Sequence, residues 1–434
     1  MLRVSTSIPL GLVFVALMFA TPPSAQAQTL TVLHSFACCS QGYIPFSGLT
    51  IDRPGNLYGT TGHGGLSEGG GYCCGTVFKL THKGSGWVFS PLYSFDEAGG
   101  PMQDGVSPMA RVIFGPDGSL YGTTLYGGSR DYCGNGQGCG TAFKLSPPPT
   151  ACKTALCGWN ETILYRFTGE SDGGEPGYGD LAFDQAGNIY GTTITGGVGN
   201  CNNPAGTCGL VYKLTPSSGG WTESVLYTFT GGSNGGNPYA SVVFGPDGNL
   251  YGTTTVGGSG CNGYGCGTVF QLKPSGSGWT ENVLYAFQGG SDGANPYGGL
   301  IFDPSGNLYG TTVSGGSGGG GTVFMLTFNG GWTFSLVYSF TGAGNSPGPF
   351  DSLIRDPAGN LYGTTAGDGA YGYGSVFQLT PSGSGWTETD LYAFTCDEGC
   401  YPHGGVVLDA NGSLYGTTEL GGPGNGGIVF ELTP

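Results

Sequence analysis

The tetrapeptide Tyr-Gly-Thr-Thr occurs seven times, beginning at Tyr58, Tyr121, Tyr190, Tyr251, Tyr309, Tyr362 and Tyr415, with successive copies 53 to 69 residues apart. A period of that size means that one supersecondary unit is repeated and that each unit buries its apolar faces against its neighbours. The unit is legible around the fifth copy. Gly299–Asp303 is a short apolar run, and Pro304-Ser305-Gly306 is a turn whose dihedrals Pro and Gly supply. Asn307–Val313 is β-rich, and Ser314–Gly320 is a Gly/Ser loop. Gly321–Thr327 alternates with β-branched residues, Asn329-Gly330-Gly331 turns again, and Trp332–Phe340 is a fourth β-rich run. We designate the four runs strands a, b, c and d. No segment has helical periodicity. The sequence therefore predicts an all-β fold with four antiparallel strands per repeat, a seven-bladed β-propeller.

The two ends of the chain choose a ring over an open stack. The last unit has strand a (Gly405–Asp409), strand b (Ser413–Thr418) and strand c (Gly427–Leu432), but no strand d. Thr29–Phe36 matches strand d, as seen in Val225–Phe229 and Val283–Phe287. The N-terminal strand 29–36 is thus expected to complete blade 7; an open stack would leave strand c as a bare edge. The six Trp, at 87, 159, 221, 279, 332 and 386, each open a strand d, and Gln28 holds the seventh equivalent place. They and the repeat Tyr are read as packing between blades.

The domain organisation follows. Residues 1–27 have the features of a signal peptide: Arg3, the apolar run Leu10–Ala20, and Ala25-Gln26-Ala27 as a small-x-small cleavage site. Residues 28–434 form one propeller. No hydrophobic tail or lipid-anchor Cys is seen, so the expectation is a secreted or periplasmic protein with no membrane insertion after signal removal. The net charge is −16, which argues against nucleic acid and anionic lipid as partners. The 14 Cys fit an oxidising compartment. Ten form tight local pairs: Cys133/Cys139, Cys152/Cys157, Cys201/Cys208, Cys261/Cys266 and Cys396/Cys400. The rest are the doublets Cys38-Cys39 and Cys73-Cys74, for which bridges between the doublets are expected. Zinc would need four ligands per cluster, usually including His, and the four His are scattered.

The unit G-N-L-Y-G-T-T…G-T-V-F-x-L…G-W-x-x-x-x-L-Y-x-F, as in Gly306–Thr312 with Gly321–Leu326, resembles the GloVer tandem repeat of exported bacterial proteins with varying anchors. The resemblance spans nearly all of the mature chain. It implies export and a repeat architecture, and it carries no catalytic residues.

Site expectations come from the loops. The d→a and b→c loops share one face, are long and variable, and hold twelve of the Cys. Such loops on a rigid scaffold are where function concentrates. The d→a loops repeat an acidic or amide position at Asp104, Asp172, Asn234 and Asp292, each followed by Pro. A ring of such groups is oxygen-ligand chemistry for Ca²⁺; the preferred reading is an Asx-turn that caps its own loop, with no cofactor. Along the innermost strand one column reads Gly48, Arg111, Asp180, Ser241, Gly299, Ser352, Gly405. Arg111 and Asp180 break the small-residue rule in adjacent blades. They are expected either to pair across the channel or to hold a ligand, with Asp351 as a further ligand-binding candidate. No nucleophile elbow or catalytic cluster is evident. The function expected is a binding or interaction scaffold for a protein or glycan, oligomeric state open. The alternatives are a polysaccharide hydrolase or lyase with channel carboxylates, and a structural envelope protein.

Overall fold

The computed structural model describes residues 28–37, 41–65, 74–95, 104–128, 133, 137–148, 158–199, 201, 206–276, 278–342, 347–383 and 385–434. Residues 1–27, the expected signal segment, and Cys38, Cys39, Cys73, Cys152 and Cys157 lie outside the described residues. The strands form seven four-stranded antiparallel sheets, six of them built a-b-c-d from one contiguous repeat. In the seventh, the strand Thr29–Ala37 joins Asn425–Thr433, Leu414–Thr418 and Val407–Leu408. Thr29 pairs with Thr433 and Leu30 with Leu432, so the first strand of the chain is strand d of the last blade. The chain is a seven-bladed β-propeller closed by its own N-terminal strand.

Strand a is narrower than the sequence suggests. Only two residues pair in each blade, as in Ile301–Phe302, because the innermost strands converge on the axis and the backbone there turns into loops. Strands b, c and d run five to nine residues. Six c–d pairs carry a register shift at one place, for example between Val269 and Phe270, and the closing pair of blade 7 carries two; each increases the local twist.

Each letter of the tetrapeptide has a physical cause. The Tyr hydroxyl donates to the Asp of the a→b turn, Tyr58 to Asp52 at 3.0 Å and Tyr251 to Asp247 at 2.8 Å. The Gly leaves room for the strand-c aromatic ring. A Cβ on Gly310 would stand 2.5 Å from Phe324, and Gly59, Gly252 and Gly363 meet Phe78, Phe270 and Phe377 in the same way. The second Thr is fully buried, and in five blades it shares a hydroxyl–hydroxyl bond with the start of strand c, as Thr312 does with Thr322 at 2.8 Å. In six of the seven blades, Thr123 being the exception, the first Thr reaches the next blade. Thr60 donates to Ala110 O, Thr192 to Ala240 O, Thr253 to Gly298 O, Thr311 to Asp351 O and Thr364 to Gly404 O. Thr417 donates to Ser47 O at 2.7 Å across the closure.

The core lies between blades. One cluster joins Phe36, Val429 and Tyr415 of blade 7 to Leu49, Leu57, Phe78 and Leu80 of blade 1. Six more clusters repeat this arrangement at the other boundaries. Each fully buried Phe contributes roughly 2–3 kcal/mol, so a blade gains most of its stability only when both neighbours are present. The Trp pack half-buried against these clusters, Trp221 and Trp332 among them. His34 fills a strand-d Tyr position and stacks on Phe89 at 4.1 Å.

Candidate functional site

The chain enters each strand a from the d→a loop, and the position two residues before the axial column is bulky in every blade: Phe46, Met109, Tyr178, Tyr239, Tyr297, Phe350 and His403. Six of these are rings, and they close a circle. Phe46 contacts Tyr178 at 5.6 Å, Tyr178 contacts Tyr239 at 5.4 Å, and Tyr239 contacts Tyr297 at 4.7 Å. Tyr297 contacts Phe350 at 5.3 Å, Phe350 contacts His403 at 4.6 Å, and His403 stacks on Phe46 at 4.6 Å. Burial raises the phenols of Tyr178, Tyr239 and Tyr297, so this rim carries no phenolate at neutral pH.

The rim surrounds a cavity of about 270 Å³ on the d→a loop face, with Asp180, Ser241, Asp351 and Ser352 also on its walls. A second chamber, about 480 Å³, lies further along the axis between Ile113, Ala182, Val243, Ile301 and Ile354. Asp180, Ser241, Asp351 and Ser352 border both, and Arg111 borders only the second. The axis therefore has an aromatic vestibule, a polar belt and an aliphatic chamber.

Arg111 and Asp180 meet in the belt. Arg111 Nε and Nη2 donate to Asp180 Oδ2 at 3.0 and 2.5 Å, and Arg111 N donates to Oδ1 at 3.2 Å. The side chains are 31% and 19% exposed. Asp180 strengthens the charge on Arg111. Burial raises the Asp180 carboxyl against the pull of Arg111, and Asp351 adds to the rise. The forked, partly solvated contact favours the ionised pair. Asp351 joins the same belt without touching a cation: its Oδ1 accepts Ser352 N at 2.6 Å and its Oδ2 accepts Gly405 N at 2.7 Å. The hydroxyls of Ser241 and Ser352 have no hydrogen-bond partner among the described residues.

The other four acidic and amide positions do not converge. Asp104, Asp172 and Asp292 accept the hydroxyls of strand-d Tyr93, Tyr165 and Tyr285, at 2.9 to 3.0 Å. Asn234 donates to Tyr227 at 2.8 Å. Asp172 and Asp292 also accept backbone N–H groups of their own loops, from Thr168 and Gln288. Among the described residues no three His, Cys, Asp or Glu gather as a metal site.

The rim loops are held under strain. The residue before the rim-loop Pro has a left-handed φ in six blades: Ile44 59°, Ser107 57°, Glu175 58°, Asn237 52°, Asn295 56° and Tyr401 57°. A following Pro disfavours that region, and a β-branched Ile is rarer there still. Such conformations cost about 1–3 kcal/mol each and persist only where neighbours over-determine them. In four blades the neighbour is a cysteine carbonyl, while Ile44 N and Tyr401 N donate to Gly426 O and Tyr373 O at 2.9 Å. Ser107 N donates to Cys74 O, Glu175 N to Cys139 O, Asn237 N to Cys208 O and Asn295 N to Cys266 O, all at 2.7 to 2.8 Å. Each acceptor belongs to the preceding blade. Disulfides join Cys133–Cys139, Cys201–Cys208, Cys261–Cys266 and Cys396–Cys400, and Cys74 is also disulfide-bonded. The bridges thus brace the loops that carry the rim.

Sequence reasoning reaches Arg111, Asp180 and Asp351 but misses the rim. The signal is a bulky residue one or two places after each d→a Pro, hidden because its identity changes from blade to blade.

The repeat signature described as the Gloeobacter/Verrucomicrobia repeat matches residues 18–201 and 259–434. No curated protein matches the chain. Among solved structures, a chain of the mitotic checkpoint complex is 13% identical, with 100% of this chain and 98% of that chain covered and a TM-score of 0.51. That likeness is one of fold. A protein of unknown function from Dyadobacter fermentans is 12% identical, over 83% of this chain and 97% of that one, at a TM-score of 0.44. A gluconolactonase from Xanthomonas campestris is 13% identical, over 77% of this chain and 85% of that one, at 0.38.

Proposed function

We propose that this chain, which belongs to the Gloeobacter/Verrucomicrobia repeat family, is an exported binding propeller that captures the end of a glycan in its axial vestibule. The observation that carries the reading is the closed circle of six rings above a belt of carboxylates and free serine hydroxyls. Aromatic faces suit the apolar C–H faces of a sugar ring, and fixed acceptors and hydroxyls suit its hydroxyls. A cavity of about 270 Å³ suits one or two sugar units rather than a protein surface.

One observation supports the exported part. Four disulfides among the described residues fit an oxidising compartment. No described helix is long and apolar enough to cross a membrane. The test is a glycan array with the full chain, followed by titration calorimetry of the hits against the double variant Tyr239→Ala/Tyr297→Ala. Specific glycan binding that the double variant loses by more than tenfold, with its unfolding temperature retained, is the expected result. An array without hits, or hits that both proteins bind equally, refutes the assignment.

A further inference from the structure

We infer that the vestibule selects a sugar carrying an ammonium group, an amino sugar, over neutral or acidic sugars; the inference rests on the glycan reading above. The charge of the belt points to it. Two carboxylates, Asp180 and Asp351, line the vestibule, and the one cation of the belt, Arg111, faces the chamber beyond. Arg111 makes its forked contact with Asp180. Asp351 accepts two backbone N–H groups and makes no ion pair, although Arg111 feels its charge, so two ionised carboxylates against one guanidinium leave the belt net negative.

The surroundings of Asp351 keep that charge accessible. It leans over the glycines of the next two blades: a Cβ on Gly405 would stand 3.3 Å from its Oδ2, and one on Gly48 3.5 Å. Each carboxylate oxygen takes one N–H and retains acceptor capacity. Above it lie the neutral rings of the rim, whose π faces attract a cation. His403 at the rim is paired through Nε2 with Glu419 at 3.0 Å. An ammonium between ring faces and Asp351 gains a charge-assisted hydrogen bond that a hydroxyl gives more weakly. A uronate there meets the same charge as repulsion.

Titration calorimetry on the full chain with glucosamine, glucose and glucuronate tests this, at low and high salt, with the wild type, Asp351→Asn and Tyr239→Ala. Glucosamine is expected to bind about tenfold or more tighter than glucose, and glucuronate more weakly than glucose. Salt should weaken the glucosamine complex and leave glucose nearly unchanged. Asp351→Asn should erase the preference, while Tyr239→Ala weakens both sugars. If Asp351→Asn does not fold, the salt dependence of the wild type still decides the question. Equal affinity for glucosamine and glucose, both lost in Tyr239→Ala, overturns the charge selection and leaves the glycan reading standing. No heat with any of the three sugars, or with chito- and cello-oligosaccharides, overturns both.

Discussion

Raising the pH from about 4.5 to above 7 should destabilise this propeller, and the cause lies between the blades. The residue two places after the strand-d Trp is Glu161, Glu223, Glu281 or Glu388 in four blades. These carboxyls face the preceding blade, where Tyr227 donates to Glu281 and Tyr338 to Glu388, at 3.4 and 3.3 Å. One oxygen each of Glu161, Glu223 and Glu281 is buried with no partner among the described residues. Burial pushes all four up to about 7, with Asp104, Asp172 and Asp390 adding to Glu161, Glu223 and Glu388. An unfolded Glu titrates near 4.5. Between these values the unfolded chain has lost the proton and the folded chain keeps it, so stability falls as pH rises through the window and levels off above it. The interval corresponds to roughly 3 kcal/mol per Glu, which partial solvent screening reduces to about 1–2. His34 acts in the opposite direction: burial lowers it to about 4, so it costs stability as pH falls below 6.5. Net of His34, the loss is about 3–6 kcal/mol, or about 4–7 °C in Tm for a domain of this size. At still lower pH another set of groups takes over. Burial alone would raise Asp184 and Asp356, but hydrogen bonds from Asn188 and Tyr190, and from Asn360 and Tyr362, hold them low. Their contribution is present above the unfolded value of 3.8 and is lost as pH falls below it. Thermal unfolding by circular dichroism should show a maximum around pH 4–5 and a fall towards pH 8. Glu281→Gln should raise Tm by about 1–2 °C at pH 8 and change little at pH 4.5. A Tm that is flat or rises towards pH 8, or a Gln variant that loses equally at both pH values, refutes the reasoning.

Closure and bracing give two further outcomes. Thr417→Val removes the 2.7 Å bond to Ser47 O and leaves that carbonyl without it, which should cost about 1–2 kcal/mol; denaturant unfolding measures it, and a midpoint equal to wild type would deny the Thr a latch role. Replacing Cys201 and Cys208 by Ser removes a bridge that spans seven residues, a loss of roughly 2–3 kcal/mol. Amide exchange should then rise first at Asn237, which donates to Cys208 O; unchanged protection there contradicts the bracing role.

The scaffold was legible because its determinants are local and repeat in identity. Thr60, Thr192 and Thr417 do the same work in different blades, so selection on one contact writes the same letter many times. The closure was legible because a strand d missing after Thr433 reappears at Thr29. The vestibule was not, because its seven contributors need only be large. Phe46, Met109 and His403 share no residue type, and the Gly between Pro176 and Tyr178 breaks the spacing in blade 3. Asp104, Asp172, Asn234 and Asp292 show the converse. They repeat visibly, yet each is engaged by a strand-d Tyr of its own neighbourhood. Arg111 and Asp180 stood out as exceptions to small residues, and a single contact explains both.

Because Thr29 lies opposite Thr433, both tails of the domain leave from one point. That point is at the end where strands c turn into strands d; Pro434 sits beside Gly412 of an a→b turn, 3.6 Å from where its Cβ would be. The ring of aromatics opens on the opposite side. A tether fused at either tail would therefore hold the wheel with its mouth pointing away from the support, free to meet whatever drifts past.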